Sequence, residues 1–160
     1  MTMVLTQELE FPERQVKRLM KGLEKRSMIK IENLVYYPYY FFEFDVSVKT
    51  VVGLKGKTAC TVDALDGKCA LVDVFPQLIP YEIETDFQLE IVITENEARK
   101  TAKYFISENI SKKVKFLKVP EIKFSSETLY YRPFWLISLT KDKEQSLIIV
   151  DAISGNYHPL

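Results

Sequence analysis

From position 40 to 49 the chain alternates with a period of two. Tyr40, Phe42, Phe44, Val46 and Val48 fall on one side, and Glu43, Asp45, Ser47 and Lys49 on the other. That spacing predicts a strand with one buried face. Gly53-Leu54-Lys55-Gly56 reads as the turn, residues 57–64 as the returning strand, and residues 68–74 as a third strand after a Leu65-Asp66-Gly67 turn. Pro76 and Pro80 interrupt the pattern. Ile83, Thr85, Phe87, Leu89, Ile91 and Ile93 then alternate with Glu82, Glu84, Asp86, Gln88 and Glu90, which predicts a half-exposed strand with an acidic outer face. Residues 114–124 read as extended and are broken by Pro120, which suits an edge position. Residues 129–140 and 145–153 read as a hairpin across Lys141-Asp142-Lys143-Glu144.

Two stretches change period. Val16, Leu19, Met20 and Leu23 recur at helical spacing behind Pro12, predicting a helix over residues 12–25. Its other face carries Arg14, Lys17, Arg18, Lys21 and Lys25. Thr94-Glu95-Asn96-Glu97 has the form of a capping box, so Ala98, Thr101, Ala102, Phe105 and Ile106 become the stripe of a second helix ending near Asn109.

The order of elements recurs. Val62-Asp63-Ala64-Leu65-Asp66-Gly67 returns as Val150-Asp151-Ala152-Ile153-Ser154-Gly155, each after an aromatic strand and each strand after a helix. The predicted fold class is therefore α+β: two tandem repeats, each an α-helix followed by an antiparallel sheet of about three strands, with the helices on one sheet face. Residues 1–80 and 81–160 are read as the repeat units, packed together because units this small bury too little surface alone. The two turns resemble the endings of PepSY units, and Thr94-Glu95-Asn96-Glu97-Ala98 resembles their acidic helix starts. What this resemblance implies is a non-catalytic module, associated in that family with peptidase inhibition or regulation, whose members are mostly secreted or membrane-attached.

Composition narrows the picture further. Basic and acidic residues number 22 each, so no global field attracts nucleic acid. The signs are segregated, seven basic residues lying in 14–30 and seven acidic ones in 69–98, which reads as two solvated faces. No apolar run approaches the ~20 residues of a membrane span. No secretory leader is visible, and the expectation for the chain as given is the cytoplasm, or an exported or membrane-attached setting had a leader been removed. Cys60 and Cys69 are not expected to pair, since a three-residue loop at the first turn sets Cys60 opposite Val72; Cys60 reads as a small buried hydrophobe.

Seven of nine residues in 36–44 and four of six in 130–135 are aromatic, more than one core face can hold. Tyr37, Tyr39 and Phe41, with Arg132 and Trp135, are the candidate binding residues; core packing between the repeats, a partner interface and a ligand pocket remain open for them. Asp63 and Asp151 recur in equivalent places, which points to bonding of the turn backbone, not to acid–base chemistry. The segment 53–58 lacks the spacing of a phosphate loop, His158 lies near the chain end, and no nucleophile or metal set assembles around it. The expected function is a non-enzymatic protein-binding or regulatory module without cofactor, bound to a protein partner or to itself and not to nucleic acid. A small-ligand binder with an aromatic pocket between helix and sheet is the alternative.

Overall fold

The structure, a computed structural model, describes residues 1–49, 53–113 and 120–160. Its strands are β1 (Thr2–Gln7), β2 (Met28–Val48), β3 (Leu54–Asp63), β4 (Cys69–Leu71), β5 (Leu78–Ile83), β6 (Glu121–Lys141), β7 (Glu144–Asp151) and β8 (Tyr157–Pro159). The helices among the described residues are α1 (Glu13–Leu23), α2 (Glu95–Lys113) and a short 3-10 turn at Thr85–Phe87. No helix among them is long and apolar enough to cross a membrane.

The strands make one eight-stranded mixed sheet along the path β4-β3-β2-β6-β1-β5, with β7 on β6 and β8 on β7. Two tandem repeats of a helix and three antiparallel strands are therefore not what forms. The α+β composition holds, with sheet predominating. Alternation locates strands but not their lengths or their neighbours. β2 and β6 each run for 21 residues. β1 and β5 add a ladder of their own, antiparallel from Thr2↔Ile83 to Gln7↔Leu78, and β1 meets β6 in parallel at Thr6 and Tyr131.

By proximity the chain forms two compact units. The first comprises Met1–Tyr37, Gln77–Leu89 and Tyr131–Leu160; the second comprises Pro38–Pro76 and Glu90–Tyr130. In the first, Val16 and Met20 of α1 are buried against Trp135, Ile137, Ile148 and Val150 of the β6–β7 hairpin. Each helix thus covers a hairpin that is not the next one in sequence. Arg14, Lys17, Arg18 and Lys21 face solvent. The β6–β7 loop is two residues, Asp142 and Lys143, both at positive φ, the geometry that matches strand twist.

In the second unit Ala98, Ala102 and Ile106 of α2 press on Phe42, Phe44, Cys60 and Val62. Thr94 Oγ1 accepts from the Glu97 amide at 3.3 Å, one half of the expected capping box. Arg99 pairs with Glu127 at 2.7 Å and Glu95 at 3.3 Å, its guanidinium 4.2 Å over the Phe124 ring. A hydrogen bond to Glu127, and then its charge, raises the Glu95 carboxyl above the usual value.

Local expectations differ from the structure where turn chemistry was misjudged. The loop after Asp63 has four residues, so Cys60 stands opposite Leu71 and Cys69 opposite Val62, one place from the expected register. Both thiols are free, and burial followed by the neighbouring Cys69 pushes Cys60 up to about 12. Leu54, Lys55 and Gly56 belong to β3 opposite Val48, Ser47 and Val46, not to a turn. Past Ile83 the expected long strand gives way to the 3-10 turn and a single bridge at Tyr36–Gln88. Of the expected extended segment 114–124, residues 114–119 lie outside the described residues, and the rest opens β6.

The two recurring turns do share one geometry. Asp63 Oδ1 accepts from the Leu65 and Asp66 amides (2.8 and 3.1 Å), and Asp151 Oδ1 from Ile153 and Ser154 (2.8 and 3.3 Å). Ala64 and Ala152 are fully buried, and their amides donate to the carbonyls of Pro38 and Pro133. The Ala64 carbonyl accepts from Val92 and Ile93 just before α2; the Ala152 carbonyl accepts from Glu10 and Phe11 just before α1. Tyr40 OH then donates to the Ile93 carbonyl, and Trp135 Nε1 to that of Phe11. What recurs is a seat for a helix entry, built once in each compact unit.

Gly67 and Gly155 close these turns at φ +78°. A Cβ on Gly67 meets only Ile93 Cδ1 at 3.9 Å, whereas one on Gly155 lies 2.9 Å from Phe11 Cζ. Gly67→Ala is expected to cost about 1 kcal/mol from left-handed backbone strain, and Gly155→Ala about 2–3 kcal/mol from strain plus overpacking. Urea titrations of the two variants check this order.

Candidate functional site

In the first unit, the β1–β5 ladder sets Thr6 opposite Ile79 and Val4 opposite Tyr81, so these four share one face. Val4 packs with Leu34 beside Tyr36, Ile83 and Tyr131. Thr6, Ile79 and Tyr81 instead border an open cavity of about 300 Å³, joined by Leu34 and Tyr36 of β2 and Pro133 of β6. Gln7, Glu8 and Leu9, where β1 runs out toward α1, complete it. Neither helix contributes a lining residue.

Gln7 Oε1 is buried and has no hydrogen-bond partner. A buried carbonyl left unpaired costs about 1–3 kcal/mol, so such atoms are rare in finished cores. Thr6 is buried, its hydroxyl donating to the Gln7 carbonyl at 3.3 Å. Burial, and then the neighbouring Tyr81, holds the Tyr36 phenol above its ordinary pKa, so it stays a neutral hydroxyl at physiological pH. Glu8 is exposed and is the one formally charged lining residue among the described residues.

The walls are fixed from behind. The Leu89 amide donates to the Tyr36 carbonyl at 3.0 Å, and Gln88 Nε2 donates to the Tyr131 hydroxyl at 2.6 Å. These bonds tie the segment after β5 to β2 and β6. Tyr81 is half exposed.

The five residues singled out from sequence do not line this cavity. Trp135 is buried and spends its N–H on the seat of α1. Arg132 donates from Nε and a terminal nitrogen to Asp151 Oδ2 at 2.9 and 2.8 Å, bracing the second turn. Tyr37 meets Phe134 edge-on at 5.9 Å. In the second unit Tyr39 stacks on Tyr130 at 5.8 Å, and Phe41 is buried under Phe75 with centroids 4.6 Å apart. Phe41 also floors a polar cleft of about 230 Å³ with Glu43, Lys57 and Asp73.

Sequence reasoning missed Tyr36, Tyr81 and Gln7. Tyr36 was one place in parity from the residues chosen. Tyr81 sits beside Pro80, where strand alternation seemed to end, and nothing in the sequence marks Gln7.

No protein-family model, curated protein or solved structure matches the chain.

Proposed function

We propose that the protein is a non-enzymatic binding module whose site is the Tyr36–Tyr81 cavity of the first unit, occupied by a small organic ligand. One observation carries this reading: a concave, largely apolar space of about 300 Å³ is bordered by two phenols, Thr6 and the side chains of Leu34, Ile79 and Pro133. Apolar walls with a few placed polar groups are the usual make-up of a ligand site. At ~30 Å³ per water molecule the space matches about ten waters, or one ring with a short tail.

Ligand-observed NMR against a fragment library tests it. Binders are expected with dissociation constants from micromolar to millimolar, and Ile79→Trp, which fills the cavity from its rim, is expected to weaken them at least tenfold. Equal binding to both proteins contradicts the proposal.

A second reading, a regulatory module that docks a protein in the manner the PepSY resemblance implies, is favoured by the outward face of β1. Met1, Met3 and Leu5 lie exposed there. Strand addition is the less suitable mode for it, because β5 carries Pro80 at its centre and β4 and β8 are three residues each. Cross-linking that captures a partner through the β1 face would support this reading.

A further inference from the structure

We propose that the protein associates with a second copy of itself, the basic ridge of α1 on one molecule lying across the acidic, partly apolar outward face of β1 and β5 on the other. This contact uses no residue that lines the Tyr36–Tyr81 cavity and is independent of that site. α1 spends Val16 and Met20 on the β6–β7 hairpin, and the successive turns of its solvent side carry Arg14, Lys17, Arg18 and Lys21, all exposed. Lys25 and Arg26, exposed as well, follow directly after the helix. None of these six cations joins an ion pair among the described residues.

The opposite charge lies on the same compact unit. The β1–β5 register sets Met3 against Glu82 and Leu5 against Pro80, so these four share the face turned away from the cavity. Met3 is 64% exposed and Leu5 38%. Glu82 is exposed, as are Glu84 and Asp86 just after it, and these carboxylates too have no cation among the described residues. Exposed ion pairs contribute only about 0.2–1 kcal/mol each, so charge alone makes a weak contact. The aliphatic stems of Lys and Arg add to it, because they cover Met3 and Leu5 while their heads reach the carboxylates. A lipid bilayer or a nucleic acid is drawn to the ridge but repelled by the acidic face, and the chain as a whole has no net charge to favour either. In a second copy, each surface meets its opposite.

Sedimentation velocity on the full chain at neutral pH tests this. In low salt the average mass is expected to rise with concentration, with a dissociation constant of about 100 µM. In about 0.5 M sodium chloride, where such charges are screened, association is expected to weaken at least tenfold. Two charge-reversed proteins then separate the surfaces: one carries Lys17→Glu, Arg18→Glu and Lys21→Glu, the other Glu82→Lys and Glu84→Lys. All five positions are exposed, and thermal melts confirm that both proteins fold. Each is expected to associate at least tenfold more weakly alone. An equal mixture is expected to recover association to within about threefold, because one protein keeps the ridge and the other keeps the acidic face. A parent chain that stays monomeric at about 1 mM in low salt overturns the proposal. So does association that resists salt, survives in either variant alone, or fails to return in the mixture. The salt series on the parent chain decides the matter without any variant.

Discussion

Phe42→Ala is expected to cost about 4 kcal/mol, the largest loss from any single truncation argued for this protein. Phe42 is fully buried in the second unit, with the rings of Tyr40, Phe44 and Phe124 at 5.9, 6.3 and 6.5 Å and the α2 residues Ala98 and Ala102 in the same core. Alanine removes six heavy atoms and leaves a cavity that three rigid rings cannot close. Against a typical total of 5–15 kcal/mol, that is enough to leave the domain marginal. Phe75→Ala is the control. Phe75 also packs on a buried ring, that of Phe41, but is 46% exposed, and its loss is expected to cost about 1 kcal/mol. Chemical denaturation followed by far-ultraviolet circular dichroism measures both. A cost below 2 kcal/mol for Phe42→Ala would mean that α2 does not seal this core as described.

Asp151→Ala is expected to cost about 3 kcal/mol and to lower the melting temperature by about 10 °C, at 2–4 °C per kcal/mol for a chain of this size. Its carboxylate performs two tasks. Oδ1 accepts from two turn amides, and Oδ2 takes two donors from Arg132, with the Asp side chain only 13% exposed. Alanine removes the turn acceptor and leaves a guanidinium in a half-buried place without its counter-charge. Because the same turn seats Glu10 and Phe11 before α1, the loss propagates to the helix entry. Asp151→Asn keeps an acceptor for the turn but not the charge, and is expected to recover about half of the loss. Equal melting of Asp151→Ala and the parent protein would show that the turn is not held in this way.

The comparison of these two residues shows what the chain discloses by itself. Phe42 was legible: strict alternation places it among Tyr40, Phe44, Val46 and Val48, and alternation is a property of the strand alone. Asp151 was legible as a turn residue because its partner amides lie two and three places along the chain. Its bond to Arg132 joins two strands and was not. The same distinction explains the error in fold class. Helix, strand and turn are local, and most were found, but which hairpin a helix covers depends on pairing between β2 and β6 that no periodicity encodes. Ala98 and Ala102 mark a buried stripe equally well whether α2 covers the strands before it or after it.

The site lay further out of reach for the same reason. Tyr36 of β2 and Tyr81 of β5 border one cavity through the β1–β5 ladder, which depends on a short N-terminal strand whose sequence, Thr2 to Gln7, carries little alternation. Aromatic surplus was a sound signal that some tyrosines serve more than one core. Tyr37, Tyr39 and Phe41 find ring partners within their own units, while Tyr36, one position earlier, borders the open cavity. A buried unpaired oxygen such as that of Gln7 can be seen only once its surroundings exist.

The most direct test of the cavity as the binding site is an amide and methyl chemical-shift map of the full chain titrated with its best small-molecule binder. The account predicts that the largest shifts gather on Thr6, Gln7, Leu34, Tyr36, Ile79 and Tyr81. Shifts gathered instead on Tyr39, Phe41 and Phe75, or along Met1, Met3 and Leu5 alone, would contradict it.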